Sequence, residues 1–241
     1  MSQAAAFKQL HAGPQILVLP NAWDAASAAL MEDAGAQAVA TSSAAVAWAH
    51  GYADGDLLPV PTLLAAIGEI ARVLKAPLTA DIEGGYSDDL QTLAETVQGV
   101  IGAGAVGINL EDGARAPDLH ARKIEAARKA AGQAGVALFV NARTDVYLRG
   151  LAKGEAALAE TLRRAELYRA AGADGIFVPG PVDEALLGTL AREIALPLNV
   201  MGRGGAPSAA RLQALGVRRL LGHRPVPRRL RRARPRDERV S

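Results

Sequence analysis

Short apolar runs recur along the chain at 16–19, 38–41, 78–82, 107–110, 138–141, 175–178, 198–201 and 218–221. Their length and β-branched content read as buried strands, eight in all. Between them lie alanine-rich segments in which apolar residues return every three to four positions, as at 25–34, 63–74, 90–101, 124–131, 155–170 and 184–193. That spacing predicts amphipathic helices. Three of these end alike, in Ala34-Gly35-Ala36, Ala103-Gly104-Ala105 and Ala171-Gly172-Ala173, and Leu215-Gly216-Val217 repeats the theme. A glycine there suits the left-handed residue that closes a helix. Regular strand–helix alternation with short links predicts a parallel sheet, and eight repeats predict a closed (β/α)₈ TIM-type barrel. A doubly wound open sheet is the competing arrangement.

In a barrel the working groups stand at the carboxyl ends of the strands, and those ends are polar on this chain. They read Pro20-Asn21-Ala22-Trp23-Asp24, Thr41-Ser42-Ser43, Asp81-Ile82-Glu83, Asn109-Leu110-Glu111-Asp112 and Asn141-Ala142-Arg143-Thr144-Asp145, with Asn199 on strand seven. The opposite ends begin from plain turns such as Ala76-Pro77 and Leu196-Pro197. Alternation along strand three puts Asp81 and Glu83 on one face, where two carboxylates call for a cation. Gly84-Gly85 then permits a tight turn and close approach of a ligand. A solvated strand end is the bland alternative, and the one-sided polarity argues against it.

Composition removes several chemistries. The 241 residues contain no cysteine, which excludes disulfides, thiolate nucleophiles and zinc–thiolate sites. No basic segment precedes a long apolar run, and no stretch has the length of a membrane span, so a cytoplasmic protein without a membrane partner is expected. The net charge of +2 is unevenly placed: residues 223–241 carry eight arginines against Asp237 and Glu238, a balance of +6, which leaves −4 for residues 1–222. The division expected is a single barrel domain over 1–222 and a disordered Arg/Pro-rich tail over 223–241.

The candidate ligands are all hard oxygens. Asp81, Glu83 and Glu111, with Asp54 from the long loop after strand two, suit Mg²⁺ or Mn²⁺. The four histidines lack metal-ligand spacing, and His50 and His120 fall in loops that could border the site. Arg143 offers a planar fork to an anionic substrate, or else pairs with Asp145 or Glu111. Ser42 and Ser43 can present hydroxyl and N–H groups to an anion. Together these describe a site for a small dicarboxylate or 2-oxo acid, with the ion stabilising an enolate as it forms. The run Gly102-Ala103-Gly104-Ala105-Val106-Gly107 matches a dinucleotide pattern but lies between helix and strand, the wrong order. The glycine-rich stretch 201–207 follows strand seven, where barrels often hold phosphate, and reads as a flexible loop.

Four segments in order, Ala80-Asp81-Ile82-Glu83-Gly84-Gly85-Tyr86, Gly107-Ile108-Asn109-Leu110-Glu111-Asp112-Gly113, Asn141-Ala142-Arg143-Thr144-Asp145 and Ala171-Gly172-Ala173-Asp174-Gly175-Ile176-Phe177-Val178-Pro179, resemble the isocitrate lyase/phosphoenolpyruvate mutase superfamily. The likeness spans about residues 7–221. It implies a barrel that binds Mg²⁺ and an enolpyruvate- or oxalate-like group, and a homo-oligomer. Asp81 matches the direct magnesium ligand, and Asp54, Glu83 and Glu111 the acids that hold its waters. Ser42, Ser43 and Ala44 match the segment that binds the substrate's anionic end, Arg143 the substrate-binding arginine. The chain lacks the lyases' Lys-Lys-Cys-Gly-His loop and the mutase's Asn-Ser loop. On the short stretch 114–120 only Arg115 and His120 remain to complete the site.

The leading expectation is a Mg²⁺-dependent lyase that cleaves a C–C bond of a small 2-hydroxy or 2-oxo carboxylate, using Arg143, Glu111 and His120, with Asn199 also in contact with substrate. Phosphonopyruvate P–C chemistry is the alternative within the fold. A non-catalytic barrel with an altered C-terminus is the alternative of another class. Its basic tail, from an altered terminus or reading frame, would take the place of the closing helix or helices. Nucleic acid is not the expected partner.

Overall fold

The computed structural model describes residues 1–222. The predicted tail 223–241 and the replaced closing helix lie outside them. Helix α1 (Gln3–Ala12) leads into β1 (Leu17–Leu19) and β2 (Asn21–Ala22). There follow α2 (Ala25–Asp33), β3 (Val39–Thr41), α3 (Ser43–Ala49), α4 (Val60–Val73), β4 (Leu78–Asp81), α5 (Leu90–Gly102) and β5 (Gly107–Glu111). The second half runs α6 (Pro117–Gln133), β6 (Phe139–Arg143), α7 (Gly154–Ala170), β7 (Gly175–Phe177), α8 (Glu184–Glu193), β8 (Leu198–Gly202), α9 (Ala209–Ala214) and β9 (Arg219–Gly222).

Every strand pair is parallel, in the order β1-β9-β8-β7-β6-β5-β4-β3-β2. The first barrel strand is divided at Pro20, which has no N–H to give a ladder. Its lower half, β1, pairs with β9 and its upper half, β2, with β3, so the chain itself closes the ring. The barrel is therefore eight-stranded in position, as the alternation predicts, and the open sheet is excluded. Gly35, Gly104, Gly172 and Gly216 all have φ between 92° and 109°, the left-handed closure that a side chain resists.

Two hydrophobic layers result. Outward residues of the strands, among them Val39, Leu78, Ile108, Val140, Ile176 and Val200, pack against Ile67, Ile70, Val97, Ile124 and Leu187 of the helices. Each large aliphatic chain so buried contributes about 1.5–3 kcal/mol. The lumen holds a second set, Leu17, Leu19, Ala40, Phe139, Phe177 and Leu221, joined by Phe7 from α1. Helix α1, absent from the sequence pattern, is thus the plug of the barrel's amino end. A side chain at Gly107 would meet the Phe7 ring at 2.7 Å. No helix among the described residues is long and apolar enough to cross a membrane.

Candidate active site at the carboxyl ends of the strands

Alternation along β4 sends Asp81 into the lumen and Ile82 into the helix layer. The Asp81 carboxylate accepts the Ser43 hydroxyl at 3.2 Å and the Glu83 N–H at 3.2 Å, while its own N–H donates to Thr41 Oγ1 at 2.8 Å. Burial pushes its pKa up, against the pull of Arg143. Asp54, on an exposed part of the loop, has its carboxyl turned toward Asp81 and Ser43 and is likewise pushed up, by desolvation first and Asp81 second.

Glu83 departs from strand alternation. Strand β4 ends at Asp81, and Glu83 takes φ 51°, a left-handed turn that re-aims its side chain. Its carboxylate accepts the Gly55 N–H at 2.6 Å, the Asp56 N–H, and the Tyr86 hydroxyl at 3.0 Å. Burial and three neighbouring aspartates push its pKa to about 7. The glycines beside it are also explained differently. A side chain on Gly84 would strike Arg115 and one on Gly85 would strike Leu93, so protein atoms, rather than a ligand, make the close approach. Arg115 joins Asp56 at 3.1 Å to Asp88 at 2.7 Å, and buried Lys123 donates to Gly84 O at 2.9 Å. Three loops are fastened together by these contacts, and Arg115 is committed to them.

Glu111 and Arg143 sit opposite each other in the β5–β6 register. Arg143 Nη1 lies 2.6 Å from Glu111 Oε2, and its Nε and Nη2 grip Asp145 at 2.7 and 3.1 Å. The pairing with Glu111 and Asp145 that the sequence left as an alternative is therefore present. The Arg143 guanidinium also stands 5.7 Å from the Phe177 ring centre. Burial, with Asp81, Asp145 and Glu83 nearby, pushes Glu111 to about 8 even though Arg143 opposes it. Asp145 is aimed from behind: its N–H donates to Asp112 Oδ1 at 2.9 Å, and Asp112 Oδ2 accepts Arg164 and the Tyr168 hydroxyl at 2.8 and 2.7 Å.

Among the described residues no three His, Asp or Glu side chains stand together as a ready-made cage for an ion. Asp81, Glu83 and Glu111 are thus not gathered as joint direct ligands: Glu83 is spent on loop amides and Glu111 on Arg143. Their chemistry still fits Mg²⁺, which takes one or two carboxylates and keeps several waters. Asp54, Asp81, Glu83 and Glu111 are all pushed toward the protonated form, the signature of acids short of positive charge.

Ser42 caps α3, its hydroxyl accepting the Ala45 N–H at 3.4 Å, and Ser43 and Ala44 form the first turn. Asn199 points into the lumen below Met201, fully buried, and neither of its amide atoms has a partner among the described residues. His120 is a correction. It lies on the inner face of α6, edge-on to Tyr168 at 4.6 Å and fully buried, with no partner on either nitrogen among the described residues. Burial, then the cations Lys123, Arg115 and Arg164, hold its pKa at about 3. It is a neutral packing residue outside the barrel wall.

The sequence reading missed Arg219. It is fully buried in the lumen, donating to Asn109 Oδ1 at 3.0 Å with its guanidinium 5.9 Å from the Phe7 ring centre, and burial lowers its pKa to about 9. The available signal was two adjacent arginines in a strand, of which period two turns one inward.

A family model described as phosphoenolpyruvate phosphomutase matches residues 7–231, nearly the whole chain. The chain belongs to this family. The match runs past residue 221, where the likeness was expected to stop. An uncharacterized protein of Mycobacterium tuberculosis is 36% identical over 218 residues, covering 89% of this family member and 80% of the relative. The 2-methylisocitrate lyase of Bacillus subtilis is 29% identical over 204 residues, 81% of this chain and 65% of the lyase. A structure from Burkholderia cenocepacia J2315, provisionally described as a phosphonomutase, has 43% identity and TM-score 0.88, over 91% of this chain and 92% of that one. The 2,3-dimethylmalate lyase of the same superfamily follows at TM-score 0.82 and 25% identity, over 92% and 81%. Family members thus include lyases and mutases, and the barrel is shared.

Proposed function

We propose that this family member is a Mg²⁺-dependent lyase that cleaves a C–C bond in a small 2-hydroxy or 2-oxo carboxylate. The observation that carries the reading is Asp81, a lumen-facing carboxylate that accepts the Ser43 hydroxyl and the Glu83 N–H, has Asp54 beside it, and feels Arg143 only at a distance, with no ion-pair contact among the described residues. A structural acid in this fold is given a cation, as Asp112 is, so Asp81 is read as the place for an ion brought from outside. Bound there, Mg²⁺ supplies Lewis-acid stabilisation of negative charge developing on a substrate oxygen.

The protein's own residues do the rest. Arg143, held by Asp145 and Glu111 and backed by Phe177, presents its remaining N–H groups to a substrate carboxylate at a fixed angle. Asp112, Arg164 and Tyr168 fix Asp145 and so fix Arg143. Ser43 orients Asp81, and the Arg115 clasp holds the loops that carry Asp54 and Glu83. Glu111, pushed up to about 8, is the group at the mouth best matched to carrying a proton near neutral pH. Phosphonopyruvate P–C chemistry is the second reading, supported by the likeness to the Burkholderia structure. Turnover of a panel of 2-hydroxy and 2-oxo di- and tricarboxylates, with phosphonopyruvate alongside and Asp81→Asn as control, tests both. Magnesium-dependent cleavage of a carboxylate, abolished in the variant, is expected; turnover of phosphonopyruvate alone would replace the first reading by the second.

A further inference from the structure

Arg149 is a guanidinium at the mouth to which the chemistry above gives no task. It stands on the turn after β6, where its N–H donates to Asp145 O at 2.9 Å. Its Nε donates to Asp145 Oδ2 at 3.0 Å, and its Nη2 lies 3.9 Å from Glu111 Oε1. Both of those carboxylates are already gripped by Arg143, at 2.7 and 2.6 Å. Two acids therefore serve two arginines, and the two arginines differ in access. The Arg143 side chain is 15% exposed and the Arg149 side chain 49%. Arg149 holds the solvent side of the network with N–H groups to spare.

The guanidinium lies beside the buried backbone of Gly113. Gly113 has φ 57°, and a side chain begun there would come within 3.7 Å of both Arg149 Nη2 and Arg115 Nη1. Arg115 is drawn away to Asp56 and Asp88, whereas Arg149, paired with Asp145 through Nε at 3.0 Å and only 3.9 Å from Glu111 through Nη2, keeps N–H groups at the mouth for a further anion.

We propose that Arg149, half-exposed at the mouth beside Gly113, forms a second anion subsite for the distal carboxylate of a dicarboxylate substrate whose other end is taken by Arg143 and Asp81. The assignment rests on the lyase reading and makes it narrower: the substrate carries two carboxylates, one deep in the lumen and one at the rim. A monocarboxylate of the same core would fill the deep position and leave Arg149 facing water.

Calorimetric titration of the full chain in saturating Mg²⁺ with oxalate, lactate and malate tests this, since malate is lactate with one added carboxylate. The parent is expected to bind malate about ten-fold more tightly than lactate, the scale of one charge-assisted hydrogen-bonded contact. Arg149→Ala should erase that preference, Arg149→Lys should keep part of it, and neither should change oxalate binding. A malate preference unchanged in Arg149→Ala, no preference in the parent, or equal loss of all three ligands would overturn the subsite while leaving the deep site standing. No binding of oxalate by the parent would overturn the deep site and, with it, this extension.

Discussion

Glu111 and Asp112 are adjacent in the chain and meet opposite fates. Asp112 faces outward, fully buried, and the fold completes it with Arg164, Tyr168 and the Asp145 N–H. Glu111 faces inward among Asp81, Glu83 and Asp145, shares one buried arginine with Asp145, and is pushed to about 8. One peptide bond separates an acid that holds the barrel together from an acid that leaves it short of positive charge. A fold does not leave acids crowded for its own stability, so the crowding marks where something else binds.

The contrast is broken most severely at Asp112. Asp112→Ala leaves buried Arg164 with Glu160 alone and strips the Tyr168 hydroxyl and the Asp145 N–H of their acceptor, and should cost about 3–5 kcal/mol in urea unfolding, whereas Asp81→Asn should cost the ion-free protein nothing or stabilise it. Equal losses from the two would erase the distinction. A smaller effect follows from pH. Glu83 and Glu111 are raised to about 7 and 8 from the ordinary glutamate value of 4.5, so the folded state binds protons that the unfolded state has released. Stability of the ion-free protein should therefore fall as pH rises through this range, by at most about 1.4 kcal/mol per pH unit for each carboxyl. The buried histidines His11 and His120, both held near 3, oppose this only below about 6.5. Melting temperatures between pH 6.5 and 8 isolate the acids, and Glu111→Gln should flatten the slope. Smallest of all, His120→Phe should change stability at pH 7 by less than about 1.5 kcal/mol and leave turnover intact, while weakening the loss of stability toward acid.

Much of this was legible in the sequence where one period governs a whole element. The eight strands, the left-handed glycines and the inward aim of Asp81, Glu111 and Arg143 all follow from alternation that the finished barrel preserves. Legibility failed where tertiary contacts override the period. Glu83 leaves the strand through a left-handed turn because the amides of Gly55 and Asp56, remote in sequence, need an acceptor. His120 looked like a loop residue because Pro117 opens α6 just before it, and the helix then carries it inward. Helix α1 shows no pattern of its own, since the plug is recognised only once the lumen it closes exists, and the pair Arg218-Arg219 shows that one arginine turns inward without showing which.

Asp81 is proposed to mark a site completed by a divalent ion together with an oxalate-like anion. Thermal melts of the parent and of Asp81→Ala, with Mg²⁺, with oxalate and with both, test it directly. At about 100 times its dissociation constant a ligand should stabilise the fold by about 2.7 kcal/mol. The pair is expected to raise the melting temperature of the parent well beyond either component alone, and to leave Asp81→Ala unmoved. A parent that melts cooperatively yet ignores the pair, or a variant that responds equally, would contradict it.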